Sequence, residues 1–243
     1  GWKNAGKTTL VEKLVSHFAG LGLKVATVKH AHHEFDIDHE GTDSFRHRKA
    51  GASEVAVVSR HRWAIIHELR DEEEPPLAEI LAKLAPCDLV IVEGYKRDSH
   101  DKIEVRNLDL DHPRLAGDDP TVVAIAANGE VADAPVPVFS RDDVTALATF
   151  IDGALAVRFG EALAQARAGA FDHWGETAEG ALGLVILLDQ VSRNVHRGSP
   201  LAFAADAKAL ALARTWIGMG YHQKLVAPRA IWLLMPFEHA EDL

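Results

Sequence analysis

The first eight residues, Gly1-Trp2-Lys3-Asn4-Ala5-Gly6-Lys7-Thr8, fit the phosphate-binding spacing G-x-x-x-x-G-K-[ST]. Each fixed position has its own physical task. Gly1 and Gly6 permit a tight turn whose backbone N–H groups approach phosphate oxygens with no Cβ in the way. Lys7 brings a compact positive charge to the terminal phosphates of a nucleotide, and the Thr8 hydroxyl is the usual oxygen ligand of Mg²⁺. Lys3, Asn4, Ala5 and Thr9 are the remaining candidate nucleotide-binding positions of the loop and the helix start. A helix beginning here aims the positive end of its dipole at the anion.

That helix is expected independently of the motif. Leu10, Val11, Leu14, Val15 and Phe18 recur at steps of three and four, and Gly20 and Gly22 supply stop signals. Lys24–Lys29 (KVATVK) then reads as a β-branched strand. A phosphate loop normally follows a buried apolar strand. Residue 1 is already the first loop glycine, so the chain looks cut at its front, and the first strand of the sheet is expected to be missing.

Residues 1–150 alternate short strands with helices. Strands are expected at 25–28, 54–58, 63–68, 89–92, 103–106, 122–126 and 136–139, and helices at 42–50 and 77–84. The alternation predicts an α/β, P-loop NTPase-type three-layer fold with a mostly parallel sheet. From about residue 142 the strands vanish and an all-α segment begins. Helices are expected at 142–168, at 178–191, from Ser199-Pro200 onward, and from Pro228 to Pro236. The two parts are therefore 1–150 and 151–243, divided inside a continuous helical pattern rather than at a linker. Helix pairs of this kind need neighbours to bury their faces, so 151–243 by itself is expected to be marginal.

Charge and composition exclude several classes. Residues 1–150 carry 18 basic against 26 acidic side chains, and 151–243 carry 8 against 10, so neither part offers the basic surface of a nucleic-acid binder. No run of about 18 apolar residues suggests a membrane span. The single cysteine, Cys87, excludes an internal disulfide and, without a leader pattern, fits a cytoplasmic protein.

A larger set of motifs names a family. The phosphate loop is followed by Thr27-Val28-Lys29-His30-Ala31-His32-His33, Asp36-Ile37-Asp38, Gly41-Thr42-Asp43-Ser44 and Arg48-Lys49-Ala50-Gly51-Ala52. Arg62-Trp63-Ala64 and Asp88-Leu89-Val90-Ile91-Val92-Glu93-Gly94-Tyr95-Lys96 complete the series. In this order they closely resemble the molybdopterin-guanine dinucleotide biosynthesis adaptor (MobB) family, over essentially all of 1–150. The resemblance implies a dimeric GTP-binding protein with weak GTPase activity and Mg²⁺. It also implies assistance to a molybdenum cofactor guanylyltransferase, the partner that attaches GMP to molybdopterin. Residues 151–243, with Leu187-Leu188-Asp189-Gln190, Ser192-Arg193-Asn194, Arg197-Gly198 and Met235-Pro236-Phe237-Glu238-His239-Ala240-Glu241-Asp242, resemble part of a bacterial family of unassigned function, similar to tetratricopeptide-type helical proteins.

The matched residues carry readings of their own. Glu93 ends a buried strand, where P-loop proteins place the carboxylate that holds Mg²⁺ or its water, so Lys7 and Glu93 are the candidate catalytic pair. A helix-cap or surface role for Glu93 is the competing reading. Asp36 and Asp38 either approach Mg²⁺, with Asp36 as a ligand beside Thr8 and Glu93, or are solvated loop acids. Asp43 is expected to cap a helix, with a contact across a dimer as the alternative. Asn128 either reads a guanine base or forms a plain Asn-Gly turn. His30, His32, His33 and His39 either have structural or phosphate-contact roles or bind a transition metal, which would make the chain a metal-delivery GTPase. The phosphate loop also admits a small-metabolite P-loop kinase, and the helices admit a non-enzymatic interaction protein. Asp189 and Arg193, four apart on a helix, read as a stabilising pair rather than a catalytic one. Trp174, Trp216 and Trp232 read as core. Asp71–Glu74 reads as a solvated acidic loop.

Overall fold

The computed structural model describes residues 1–31 and 36–240. His32, His33, Glu241 and Asp242, singled out above, lie outside the described residues. The elements of the first part are α1 (Lys7–Gly20), β1 (Val25–Lys29), α2 (Asp43–Lys49), β2 (Glu54–Val58), β3 (Trp63–His67), α3 (Leu77–Lys83), β4 (Leu89–Glu93), β5 (Lys102–Arg106), β6 (Val122–Ala127) and β7 (Val138–Ser140). The helical part comprises α4 (Val144–Arg167), α5 (Ala178–Ile186), α6 (Ser192–Val195), α7 (Asp206–Gly218), α8 (Tyr221–Lys224) and α9 (Ala227–His239).

The strands pair largely as the alternation predicts. β1 lies parallel to β4, and β5, β6 and β7 form a second parallel group. β2 and β3 make an antiparallel hairpin of their own. The two parallel groups do not pair with each other, so the sheet is interrupted between β4 and β5. α1 buries Leu10, Leu14 and Phe18 against this region, together with Val105, Ala126, Leu147 and Ala148. These are apolar positions of the predicted stripe, and the helix closes with Leu23 N–H donating to the Phe18 carbonyl. On the other side of β6, Ile125 and Ala127 pack with Ala116 and Val122 under the irregular chain near 131–136.

Glu104 explains how that irregular chain stays in place. Its side chain is fully buried on β5, yet it accepts the amides of Leu115 (3.0 Å) and Ala116 (2.8 Å) and pairs with Arg106 at 2.9 Å. Every partner is supplied by β5 or the loop it pins, which makes a buried carboxylate tolerable.

Two ends of one helix belong to two cores. α4 starts on Asp143, whose carboxylate accepts the Ala146 amide, and places Leu147 and Ala148 in the cluster under α1. Its far end puts Leu163 and Ala166 among Leu184, Leu188, Ala209, Ala213, Trp216 and Leu233. Between them Val157 is 86% exposed, so the middle of the helix belongs to neither core.

Several boundaries differ from the sequence reading. The helix expected at 178–191 continues through a π-helical stretch, Leu187–Val191, into α6. The helix expected from Ser199 is only a 3₁₀ turn at Pro200–Phe203, and the regular helix begins at Asp206. Pro228 and Pro236 bracket the last helix in the sequence pattern, but α9 includes Pro236 and runs to His239. A proline removes one backbone donor without ending a helix that is packed along its length. Thr42, not Asp43, caps α2, accepting the Phe45 amide. Trp216 is buried and Trp232 packs on the core, whereas Trp174 is 37% exposed and stacks on Phe171 at 4.7 Å.

The acidic run is also not simply solvated. His67 on β3 contacts Glu54 across the hairpin at 2.9 Å and Glu72 at 3.1 Å. Glu54, then Glu72, hold the imidazolium charge and raise the His67 pKa above its usual value. The contacts therefore stabilise the fold fully below the unfolded-state pKa and lose that contribution as pH rises through the higher folded value. A proton-detected NMR titration should place the His67 midpoint above 6.5, and Glu54→Gln should lower it. For the buried carboxylate, Glu104→Ala should destabilise by about 3–5 kcal/mol, read as a lowered urea midpoint.

Candidate functional site

The phosphate loop folds into a cradle before any ligand chemistry is considered. Asn4 (φ 62°) and Gly6 (φ 93°) both adopt left-handed backbone, and Gly6 sits at the start of α1. No side chain caps this helix and no acid occupies its first turn, so its leading amides stay open to an anion. Ala5 is buried beneath the turn, and its carbonyl accepts a 2.7 Å bond from Arg141, just before α4. A Cβ on Gly6 would meet the same guanidinium at 2.6 Å, a flexible end that can move aside, so it is the left-handed φ that calls for glycine there. Lys3, Asn4 and Thr9 are exposed on the outer side.

Trp2 holds the loop from its other end. Its indole N–H donates to the Pro113 carbonyl at 2.8 Å, and the Lys96 ammonium lies over its ring at 4.4 Å. Lys7 folds across the loop and donates to the Trp2 carbonyl at 2.7 Å. Burial lowers the Lys7 pKa below the ordinary lysine value; Glu93 opposes the shift, and Lys96 and Lys29 add to it by repulsion. Three lysines therefore converge on the loop, a concentration of positive potential that an incoming polyphosphate relieves.

Glu93 ends β4 directly opposite. Its carboxylate oxygens lie 3.4 and 3.5 Å from the Thr8 hydroxyl, with the Lys29 ammonium at 3.8 Å. A hydroxyl and a carboxylate side by side form a hard-oxygen donor set that suits Mg²⁺ completed by water and phosphate oxygens. The backbone behind Glu93 is equally constrained. His30 N–H donates to the Glu93 carbonyl at 2.8 Å, and Gly94 (φ 108°) passes so close that a Cβ would meet the His30 Cβ at 2.6 Å.

Other predicted residues are engaged elsewhere. Asp36 binds the Arg48 guanidinium with both oxygens, at 2.8 and 3.0 Å, and Asp38 binds it at 3.3 Å. The Arg48 hydrogen bonds, then the Asp38 amide, hold the Asp36 carboxyl below the usual carboxylate range. Burial works against ionisation of Asp38, but the Ser44 and Thr42 hydroxyls and Arg48 outweigh it and lower its pKa. Glu68 completes the arginine's partners at 2.7 Å. Asn128 accepts the Leu108 amide at 2.7 Å and donates to Asn107 and Asp109, so its side chain pins a loop as it stands. His30 stacks on Tyr95 at 4.8 Å and meets Glu74 at 2.6 Å, while His39 is exposed. Among the described residues no three His, Cys, Asp or Glu side chains are arranged to hold a metal ion.

Sequence reasoning missed Arg141, Lys29 and Lys96. The lysines had a local signal, since each lies at or just beyond the end of a strand that points to the loop. Arg141 had none, because it reaches Ala5 across 136 positions. In the helical part Asp189 and Arg193 form the ion pair that their spacing predicts, with the acid in the core. Asp189 is wholly inaccessible, and it contacts Arg193 at 3.7 Å and His239 at 2.8 Å. Arg193 also bonds Asp206 at 2.8 Å, and the Asp206 pKa is raised by burial, opposed by Arg193 and reinforced by Asp189.

The strand–helix order, the phosphate loop and the paired Thr8 and Glu93 define a P-loop α/β protein. Comparison with known proteins gives the particular family. The molybdopterin guanine dinucleotide synthesis protein B (MobB) family matches residues 1–128, and the chain belongs to it. A second match, to a bacterial protein family of unknown function (DUF924), covers residues 143–243. The chain is 35% identical over 153 residues to the molybdopterin-guanine dinucleotide biosynthesis adapter protein of Escherichia coli K12, covering 62% of this chain and 87% of that protein. It is 37% identical over 131 residues to the Haemophilus influenzae adapter protein, covering 53% and 71%. The crystal structure of Bacillus subtilis MobB superposes with a TM-score of 0.50 at 24% identity, covering 62% of this chain and 92% of that one, which shows the shared fold.

Proposed function

We propose that residues 1–150 form a cytoplasmic GTP-binding adaptor unit of molybdenum cofactor biosynthesis, assisting the guanylyltransferase that builds molybdopterin guanine dinucleotide. Residues 151–243 are an appended helical module. The observation that carries the nucleotide half is the convergence of Lys7, Thr8 and Glu93 at the start of a helix whose first turn no side chain caps. Membership of the MobB family supplies the pathway, and its adapter relatives in two bacteria support the adaptor role.

The residues divide the work. The amides of Gly1–Thr8 cradle the β- and γ-phosphates, and Lys7 leaves the Trp2 carbonyl to neutralise their oxygens. Thr8 and Glu93 would hold Mg²⁺, which would supply positive charge against the phosphate oxygens. Glu93 also positions water for slow hydrolysis, with Lys29 and Lys96 adding charge at the rim. Asp36 and Asp38, tied to Arg48, keep the segment before α2 in place and couple it to the nucleotide state. Asn128 reads the guanine base once its loop contacts are exchanged.

The homodimer has support in the hairpin. Val58, Trp63 and Ile65 are 76%, 70% and 55% exposed and lie on one face of β2 and β3, an apolar surface that a second copy would cover. Trp63→Glu should convert the dimer to monomer in sedimentation velocity.

A nucleotide panel with Mg²⁺ tests the central reading by calorimetry. GTP preference is expected; ATP preference with a phosphorylated product would instead indicate a kinase, and no binding an interaction scaffold. Titration with Zn²⁺ and Ni²⁺ in the same instrument tests metal delivery. Lys7→Ala should weaken GTP binding at least about tenfold, because a charge-assisted phosphate contact contributes ~1.5–3 kcal/mol. Unchanged affinity in that variant overturns the role of Lys7.

A further inference from the structure

The short connection from β7 to α4 commits four consecutive residues to different neighbours. Ser140 ends β7, and Arg141 extends the ladder by donating its N–H to the Ala127 carbonyl at 2.9 Å. The Asp142 carboxylate pairs with Lys13 of α1 at 2.6 Å, and Asp143 caps α4. The Arg141 backbone is thereby fixed among β6, α1 and α4. From there its side chain crosses to the phosphate loop, where Nη1 donates to the Ala5 carbonyl at 2.7 Å.

That carbonyl belongs to the peptide unit joining Ala5 to Gly6. A trans peptide points its C=O and its N–H in opposite directions. With the carbonyl held by the guanidinium, the Gly6 N–H faces away from Arg141, at the start of α1 where the helix dipole favours an anion.

We propose that Arg141 is a positioning residue for phosphate binding: by holding the Ala5 carbonyl it keeps the Gly6 amide turned toward the anion.

The glycine is what makes such a holder necessary. Gly6 has φ 93°, and a residue without a Cβ accepts either sign of φ, so a flip of the Ala5–Gly6 peptide meets little steric resistance. The flipped peptide presents a C=O dipole to the phosphate in place of an N–H, and the two repel. Ala5 is buried, so its carbonyl needs a partner from the protein. A guanidinium donates hydrogen bonds and never accepts them. It therefore stabilises the orientation that shows it the carbonyl and gives nothing to the one that shows it the N–H. A hydroxyl or carboxamide side chain at the same place would serve both. Arg141 acts through the loop rather than on the ligand. Only the gain in phosphate affinity rests on the GTP-binding reading; the direction of the Gly6 amide does not.

The test uses the 243-residue chain labelled with [15N]glycine, without ligand, and compares wild type with Arg141→Met and Arg141→Lys. The wild-type Gly6 amide should have an order parameter of about 0.85, as in rigid backbone, and Arg141→Met should lower it below about 0.6 or introduce μs–ms relaxation dispersion. The Gly20 and Gly183 amides, in α1 and α5, should stay unchanged and report an intact fold. The contact uses a single N–H, which a lysine ammonium also supplies, so Arg141→Lys should keep the wild-type signal. If Arg141→Met does not fold, Arg141→Gln, whose side chain stops short of Ala5, should give the same loss. Calorimetry with Mg²⁺ then compares GTP with inorganic tripolyphosphate. Both should bind Arg141→Met at least about tenfold more weakly, as expected for one lost hydrogen bond to an anion. Arg141→Lys should stay within about threefold of wild type. An unchanged Gly6 amide in ligand-free Arg141→Met or Arg141→Gln overturns the proposal, because an arginine that only touched the ligand would leave the free loop as it is. Weaker GTP binding with unchanged tripolyphosphate binding also overturns it, since the arginine would then act on the base or sugar. If wild type binds tripolyphosphate but not GTP, the nucleotide reading fails and the tripolyphosphate comparison still decides the role of Arg141.

Discussion

The arrangement depends on α4 being one uninterrupted helix that two cores share. Leu147 and Ala148 at one end and Leu163 and Ala166 at the other are all buried, while Val157 between them is exposed. Burial of such apolar side chains contributes of order 1.5–3 kcal/mol for the larger ones, so neither end is free to detach without exposing a core. Helix geometry then fixes the spacing of the two clusters, and the chain leading into α4 delivers Arg141 beneath the phosphate loop. The loop is held from below by a guanidinium and from its first residues by Trp2, whose contacts with Pro113 and Lys96 come from different segments.

Polar contacts reinforce this shared framework. Asn194 donates to the Asp88 carbonyl just before β4, and Arg158 pairs with Asp101 just before β5. Arg197 reaches Asp152 on α4. The helical part thereby touches the entrances of β4 and β5. Such pairs contribute little singly when exposed.

The chemistry of the site rests on opposed charges held just short of neutralising each other. Lys7, Lys29 and Lys96 gather near one carboxylate, Glu93, and the lowered pKa of Lys7 records the burial and crowding. The acids after β1 are kept away from this centre by Arg48, which takes Asp36, Asp38 and Glu68 together. A phosphate-binding site benefits from this separation, since free carboxylates close to the loop would repel the ligand. In the helical part, Asp189 shows the same rule: a buried acid is kept only with partners, here His239, Gln190 and Arg193.

Local patterns in the sequence determined the loop, α1 and most strands, because Gly-x-x-x-x-Gly-Lys-Thr, a three-four apolar stripe and β-branched runs act over a few residues. They also located Glu93 at the end of its strand. Tertiary structure alone decided what depends on distant partners. Arg141 meets Ala5, Glu104 pins the chain at 115–116, Asp189 is buried against His239, and the Asp36 carboxylate is committed to Arg48. None of these has a sequence-local cause, because the burial or satisfaction of a charge depends on which segments the fold brings to it. The same reason explains the misplaced helix ends. Pro236 is a stop signal in isolation, but α9 is packed along its length and the packing outweighs one lost hydrogen bond.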